Sequence, residues 1–416
     1  MRKIFDILML CIMAVAINAC SAEGDGPLPD NTAGDGDSIL IDISSSSLPI
    51  TRATVEATGA EIAVTHIDVL IFNDDADKSI KHYERVASSF SRSGKCKLAV
   101  KKNHFDANAN YWVYLIANST HTAEDFNAVA SLLDLQQMSQ TDRNIHITGL
   151  DNSQVAPKTF LMDGVAYSSE ASEPANASTV MLYNGVNSGD TQLKCTLRRA
   201  AAKIIVQINK GDKVTFDTNP LSHEAAYYLV NMPYDSSVLP VEGYEAELRK
   251  SERTNNKFFD WQQNVVTVTA YTYAHDWSHE SSSFEKETRL VVNIPLIYKP
   301  DENTEEDHTN GNYYQIPVCR DKILERNTCY VVSVTINSPG GASPEDPIEI
   351  EDVNYNVAAW TDVDINTGDN TSHPEFLTLN AYELTMHNIA DDNTSISFIS
   401  SSPITSYNVQ SAYYYD

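Results

Sequence analysis

The sequence predicts a mainly β chain: two β-rich domains in tandem, few helices, and a partial β-rich segment at the C-terminal end. Three observations carry this. Short runs dense in Val, Ile, Tyr and Thr recur along the chain, separated by clusters of Asn, Asp, Gly and Ser, which is strand-and-turn chemistry. Only one segment has helical spacing of apolar residues. Composition shifts at 184–190 (NGVNSGD) and 366–374 (NTGDNTSHP) divide the strand-rich part.

At the front, residues 1–19 carry Arg2 and Lys3 and then a mostly apolar stretch. That is too short to span a bilayer, and it has the order of an export signal. Its end, Ile17-Asn18-Ala19-Cys20, approximates a bacterial lipobox, so Cys20 is the expected lipidation site; ordinary secretion with cleavage near Ala22 is the alternative. No other stretch is apolar enough to cross a membrane, so attachment to one is expected through the lipid. Residues 21–37, rich in Gly, Pro and Asp, read as a tether. Ser38 to Ser44 alternates, with Ile39, Ile41 and Ile43 on one face of a strand. A lone basic residue follows in Ile50-Thr51-Arg52-Ala53-Thr54. A lipidated cysteine, a strand and an isolated Arg-Ala bond together suggest a precursor that is exported, tethered and cut.

Further strands are expected at Val64–Phe72, Tyr111–Ala117, Lys203–Ile208, Val265–Tyr273, Leu290–Ile297 and Tyr330–Ile336. In the last, Tyr330, Val332, Val334 and Ile336 share a face, as in a half-buried strand. Thr122 to Asp125 has the form of a helix cap, and Phe126, Val129, Leu132 and Leu133 follow at helical spacing, so a helix is expected over 122–135. The expected division is 1–19 signal peptide, 20–52 tether and removable strand, 53–188 first domain, 189–366 second domain and 367–416 extra segment. In that last segment Phe376–Leu379, Tyr382–Met386 and Ile396–Ile399 look like strands. They are too few for a sandwich, so a truncated further domain and a partner-binding appendage both stand open.

The formal net charge of −28 disfavours nucleic-acid binding, because such a surface repels phosphate backbones. Beyond Cys11 and Cys20, the widely spread Cys96, Cys195, Cys319 and Cys329 contain no C-x-x-C pair. A bridge between Cys319 and Cys329, the one close pair, and four buried thiols are both open. Asp74-Asp75-Ala76-Asp77 lacks the central Gly and closing Glu of a calcium loop and is better read as a hairpin turn. His275-Asp276-Trp277-Ser278-His279 would place two histidines on one face of a helix, but it follows a strand and lacks the H-E-x-x-H order. No nucleophile elbow, phosphate loop or dinucleotide fingerprint is present. No cofactor, metal or catalytic residue is expected, and the chain is not expected to be an enzyme.

Several strings, in this order, resemble the fimbrillin family, the fimbrial subunits of Bacteroidales. They are Ile67-Asp68-Val69-Leu70-Ile71-Phe72-Asn73, Tyr111 to Asn118 (YWVYLIAN) and Leu193 to Lys203 (LKCTLRRAAAK). Tyr314-Gln315-Ile316-Pro317, Leu324 to Tyr330 (LERNTCY) and Trp360 complete the set. The resemblance implies two transthyretin-like β-sandwich domains and assembly into a fimbria on the outer membrane. In such an assembly an Arg-specific protease cuts between Arg52 and Ala53 and removes the strand bearing Ile39, Ile41 and Ile43. A strand from another fimbrial subunit then fills the groove. A host or bacterial surface ligand would be a further partner in adhesion. The tail after Trp360 departs from a stalk subunit, leaving shaft, tip and anchor roles open, and residues 376–386 could themselves be a donor strand. A monomeric lipid-anchored adhesin or glycan-binding module, using aromatics at Trp261, Tyr271, Tyr273 and Trp277, is the alternative function.

Overall fold

Branched and aromatic residues on alternating positions dictate extended backbone, and the computed structural model is built from it. It describes residues 36–45, 54–56, 59–87, 89–91, 93–148, 150, 158–217, 225–255, 259–262, 264–280, 285–350, 353–361, 377–379 and 398–400.

Eight principal strands precede Ala200: β1 (Ile39–Ser45), β2 (Thr54–Glu56), β3 (Ile67–Asn73), β4 (Ile80–Val86), β5 (Ser93–Lys97), β6 (Asn110–Ala117), β7 (Met162–Val165) and β8 (Thr191–Arg199). After it come β9 (Ala201–Lys210), β10 (Ala226–Val230), β11 (Val265–Tyr273), β12 (Arg289–Asn293), β13 (Tyr313–Pro317), β14 (Thr328–Ile336) and β15 (Val353–Thr361). The first sheet runs β4-β3-β6-β7-β8-β1-β5, with short strands Tyr167–Ser168 and Val180–Met181 added on β8 and β6. A second runs β2-β15-β14-β9-β11 and ends on Phe259–Trp261. A third has β10, β12 and β13 at its centre. The second and third sheets face one another, since buried Tyr227 of β10 donates its hydroxyl to the Thr269 carbonyl of β11 at 2.9 Å. A mainly β architecture is therefore what the sequence expectation meets.

Sheet membership changes at Ala200, between β8 and β9, so Thr191–Arg199 belongs with the strands before it. In the other direction, β2 lies early in the chain but pairs in parallel with β15 of the second sheet, Val55 opposite Trp360. Where β2 leads on towards the first sheet, a buried polar node ties the halves together. Glu61 pairs with Lys203 at 2.8 Å and accepts from Tyr271. Arg199, fully buried, donates to the Glu61 carbonyl at 2.6 Å and to the Asn327 side chain at 3.0 Å. Arg326 adds a second tie, reaching Asp163 of β7 at 2.6 Å. Buried charges are costly unless they are paired and hydrogen-bonded; Lys203 and Arg326 each pair with a carboxylate, and Arg199 is held by hydrogen bonds to Glu61 and Asn327.

The expected strands Tyr111–Ala117, Lys203–Ile208 and Tyr330–Ile336 form with longer ends, Val265–Tyr273 forms as expected, and Val64–Phe72 divides into Ala63–Val64 and Ile67–Asn73. The segment Leu290–Ile297 divides into Arg289–Asn293 and Leu296–Tyr298. Pro295 lies at the break and has no N–H for a ladder. The single expected helix over 122–135 is two: α1 (Ala123–Asn127) and α2 (Leu132–Gln137). Thr122 with Asp125 and Ser131 with Asp134 each form a complete capping box, so the second box restarts the helix. Between them the backbone turns to β4 instead, Ala130 accepting from the Ile80 amide and Leu132 donating to the Lys78 carbonyl. In the C-terminal segment Leu377–Leu379 pairs with Phe398–Ser400; Tyr382–Met386 lies outside the described residues. Among the described residues no helix is long and apolar enough to cross a membrane.

Candidate functional site: the groove around the first strand

The alternation Ile39, Ile41, Ile43 points three branched side chains into the core, and they are 0%, 0% and 2% exposed. The strand carrying them is interior to its sheet. It pairs in parallel with β8 from Ile39↔Thr191 to Ser45↔Leu197, and antiparallel with β5 from Leu40↔Lys97 to Ser44↔Ser93. Its entry is fixed as well. Asp190 accepts from the amides of Gly36 and Ser38 at 2.9 Å each, and the Lys102 amide donates to the Asp37 carbonyl at 3.0 Å. Without this strand, β8 and β5 would each face water with a row of unpaired backbone groups above an apolar trough.

Two cysteines line the trough, one on each neighbour. Cys96 of β5 stands opposite Ile41, and Cys195 of β8 stands opposite Ile43; both thiols are 1% exposed. Burial pushes the Cys96 thiol up to about 12 and raises that of Cys195 further, so both are protonated and inert while the strand is in place. Cys195 also marks a close approach from the next strand: a Cβ on Gly164 would meet its Sγ at 2.6 Å and the Thr196 carbonyl oxygen at 2.6 Å. All four described cysteines, including Cys319 and Cys329, are free buried thiols.

Of the residues expected to act in processing, Ile39, Ile41 and Ile43 fall together in this groove, while Cys20, Arg52 and Ala53 lie outside the described residues. The aromatic surface imagined for ligand binding is not one. Tyr271, Tyr273 and Trp277 are 2%, 2% and 1% exposed and pack in the core: Tyr271, on β11, lies against Phe160 and bonds Glu61, and Trp277 follows the short strand His275–Asp276 and packs on His275; Trp261 is half-buried against Phe259. His275 lies on a short strand, His275–Asp276, not on a helix. It bonds Thr288 at 2.9 Å and packs on Trp277. Among the described residues no group of three or more metal-ligating side chains converges. Asp75 closes the turn after β3 by accepting from the amide and hydroxyl of Ser79. The sequence names Cys96 and Cys195 as thiols that could be buried but not their place beneath β1, and it does not single out the outward-facing residues of the groove. The alternation Ser93-Gly94-Lys95-Cys96-Lys97 was the available signal, with Cys96 inward between two outward lysines.

The fold and the groove together define a mainly β chain with an N-terminal strand completing an interior position of its first sheet. No protein-family model matches the chain and no curated protein matches it. Among solved structures it is similar to a candidate cell adhesion protein from Parabacteroides distasonis, at 14% identity over 79% of this chain and 98% of that one, with a TM-score of 0.48. It is similar as well to the tip fimbrial protein Mfa3 of Porphyromonas gingivalis (12%, 78% and 100%, 0.43). A third is a fimbrilin, FimA, of Porphyromonas gingivalis (14%, 79% and 98%, 0.43). With scores below 0.5, these likenesses carry no functional assignment to this chain.

Proposed function

We propose that this chain is a structural subunit of a cell-surface fimbria, exported as a lipoprotein precursor and assembled by strand exchange. In this reading Cys20 carries the lipid that holds the precursor at the outer membrane. An Arg-specific protease then cuts between Arg52 and Ala53, β1 leaves, and a strand from a neighbouring subunit takes its position. The observation that carries the reading is the placement of β1. It is interior to the first sheet, its three isoleucines complete the core, and the segment containing Arg52 joins it covalently to β2 and the rest of the fold. The next strand, β2, pairs with a different sheet, so β1 and β2 do not depend on each other for hydrogen bonds. The sequence strings that resemble fimbrillins support the same reading.

Three buried isoleucines contribute about 2–3 kcal/mol each, before backbone hydrogen bonds are added. An emptied groove is therefore unfavourable in water, and a strand of matching alternation restores both the apolar contacts and the ladder. The test is limited digestion of the chain lacking its leader with an Arg-specific protease, alongside the Arg52→Gln variant. A cut giving an N-terminus at Ala53, followed by detergent-resistant oligomers on an unboiled gel, is expected for the parent and not for the variant. A parent that resists cutting at Arg52, or that sheds β1 without ever accepting another strand, would defeat the proposal.

A further inference from the structure

The outer face of the groove is cationic in a protein of net charge −28. Asp42 lies at the middle of β1, on the face opposite the isoleucines. Directly across it on β5 stands Lys95, at 3.6 Å, and directly across it on β8 stands Lys194. Lys95, Asp42 and Lys194 line one shallow cleft together with Ser44 and Tyr167. Lys97 follows Lys95 on the same face of β5. The next basic group along β8, Arg198, is paired with Glu173. When β1 is in place, its one carboxylate is flanked by a lysine on each neighbouring strand. When β1 is gone, two ammonium groups face each other across the width of one missing strand, roughly 9–10 Å by the usual strand spacing.

We infer that this groove selects its incoming strand by charge: it takes a strand with a carboxylate at the central outward position, flanked on both sides by inward branched apolar residues, and rejects one with a cation there. The inference rests on the strand-exchange reading and names the partner chemistry for that same groove. Like charges directly opposite on neighbouring strands are unfavourable and opposite charges favourable, so a central carboxylate meets two attractions and a central lysine two repulsions. The sign also suits the approach. Two molecules this acidic repel at long range, and the lysine-rimmed groove is a place where an acidic strand is drawn in. The apolar pockets under Ile41 and Ile43 fix register, while the lysines discriminate among strands that would fill those pockets equally well.

The experiment uses the Arg-protease-cut protein and fluorescent peptides of sequence Ser38–Ser45, with Asp42 retained or changed to Asn or to Lys, read by anisotropy at low and at high salt. The Asp42 peptide is expected to bind about tenfold or more tightly than its Asp42→Lys form at low salt, with Asn between. The gap should shrink in 0.5 M salt, where charges are screened over a few ångströms. A Lys95→Glu/Lys194→Glu protein, checked for native circular dichroism, should reverse the order. If that variant misfolds, Lys95→Gln should narrow the gap instead. Equal binding of all three peptides to the cut protein would overturn charge selection while leaving strand exchange intact. Failure of every peptide to bind would defeat strand exchange itself and this inference with it. A preference unchanged in the lysine variants would also overturn the assignment.

Discussion

Replacing Ile41 by Ala should loosen the first strand without unsettling the second sheet. Ile41 is fully buried, opposite Cys96 on one side and Leu193 on the other. Truncating such a side chain removes its transfer free energy and leaves a cavity, together about 2–4 kcal/mol. If β1 opens as its own unit, that loss falls on local opening, and the open population rises about 30- to 700-fold, since each 1.4 kcal/mol is a factor of ten. The two thiols beneath the strand report this directly. In the closed state they are buried and held protonated; on opening they meet solvent and regain ordinary thiol reactivity. Alkylation under native conditions, resolved by peptide mass spectrometry, should show Cys96 and Cys195 accelerating in the variant. Cys329, 0% exposed on β14, should keep its parent rate. If all the buried thiols accelerate together, the strand opens only with the whole protein. If none does, it does not open at all, and in either case the reasoning from an independently removable strand is refuted.

Arg326→Met should cost about 3–5 kcal/mol, because it leaves Asp163 buried without its 2.6 Å partner. Burial already raises the Asp163 carboxyl, with Arg326 opposing, so the variant raises it further. A carboxyl with a folded pKa above its unfolded value loses stability as pH rises, so the deficit in urea unfolding should be larger at pH 8 than at pH 5. Gly164→Ala should lower stability by about 1–3 kcal/mol through overpacking against Cys195 and Thr196. Pairing it with Cys195→Ser should not rescue it, since the Thr196 carbonyl still stands at 2.6 Å. Burial depresses His146 to about 4, an imidazole kept neutral in the fold. The unfolded chain then binds more protons between about pH 6.5 and 4, so stability falls as pH falls through that window. His146→Gln should flatten the fall in melting temperature between pH 7 and 5; an unchanged slope would remove His146 as its source.

The strands with strong branched alternation were legible because burial on one face imposes a period of two, and β1, β9, β11 and β14 follow it. The groove was half legible. Ile39, Ile41 and Ile43 announce an inward face, but nothing local to them says that their neighbours are β8, far along the chain, and β5. Parallel pairing leaves no turn signature to read. The lysines were hidden for a related reason: Lys95 and Lys194 are ordinary surface residues until the register sets Asp42 between them. The aromatics misled for the opposite reason. Tyr271, Tyr273 and Trp277 sit where a strand end reads as exposed, yet they are buried, Tyr271 under Phe160 and Glu61 from the other half of the chain. The helix failed at Ser131, where a second cap competes with continuation and the backbone pairs with β4.

If the proposed strand exchange holds, the assignment of β1 and β2 to different sheets bears on how one peptide bond would govern assembly. While residues 46–53 are intact, β1 is tethered beside its groove at an effective concentration on the order of millimolar, so any detached strand is recaptured by its own molecule before a free competitor can enter. Breaking the chain anywhere in that segment leaves every hydrogen bond of β1 as it was and abolishes only this local concentration. Thr54–Glu56, beyond the break, stay paired to β15 and cannot substitute for the lost strand. Release then becomes a matter of dilution, and on the strand-exchange reading a cut outside β1 still decides which strand occupies the groove.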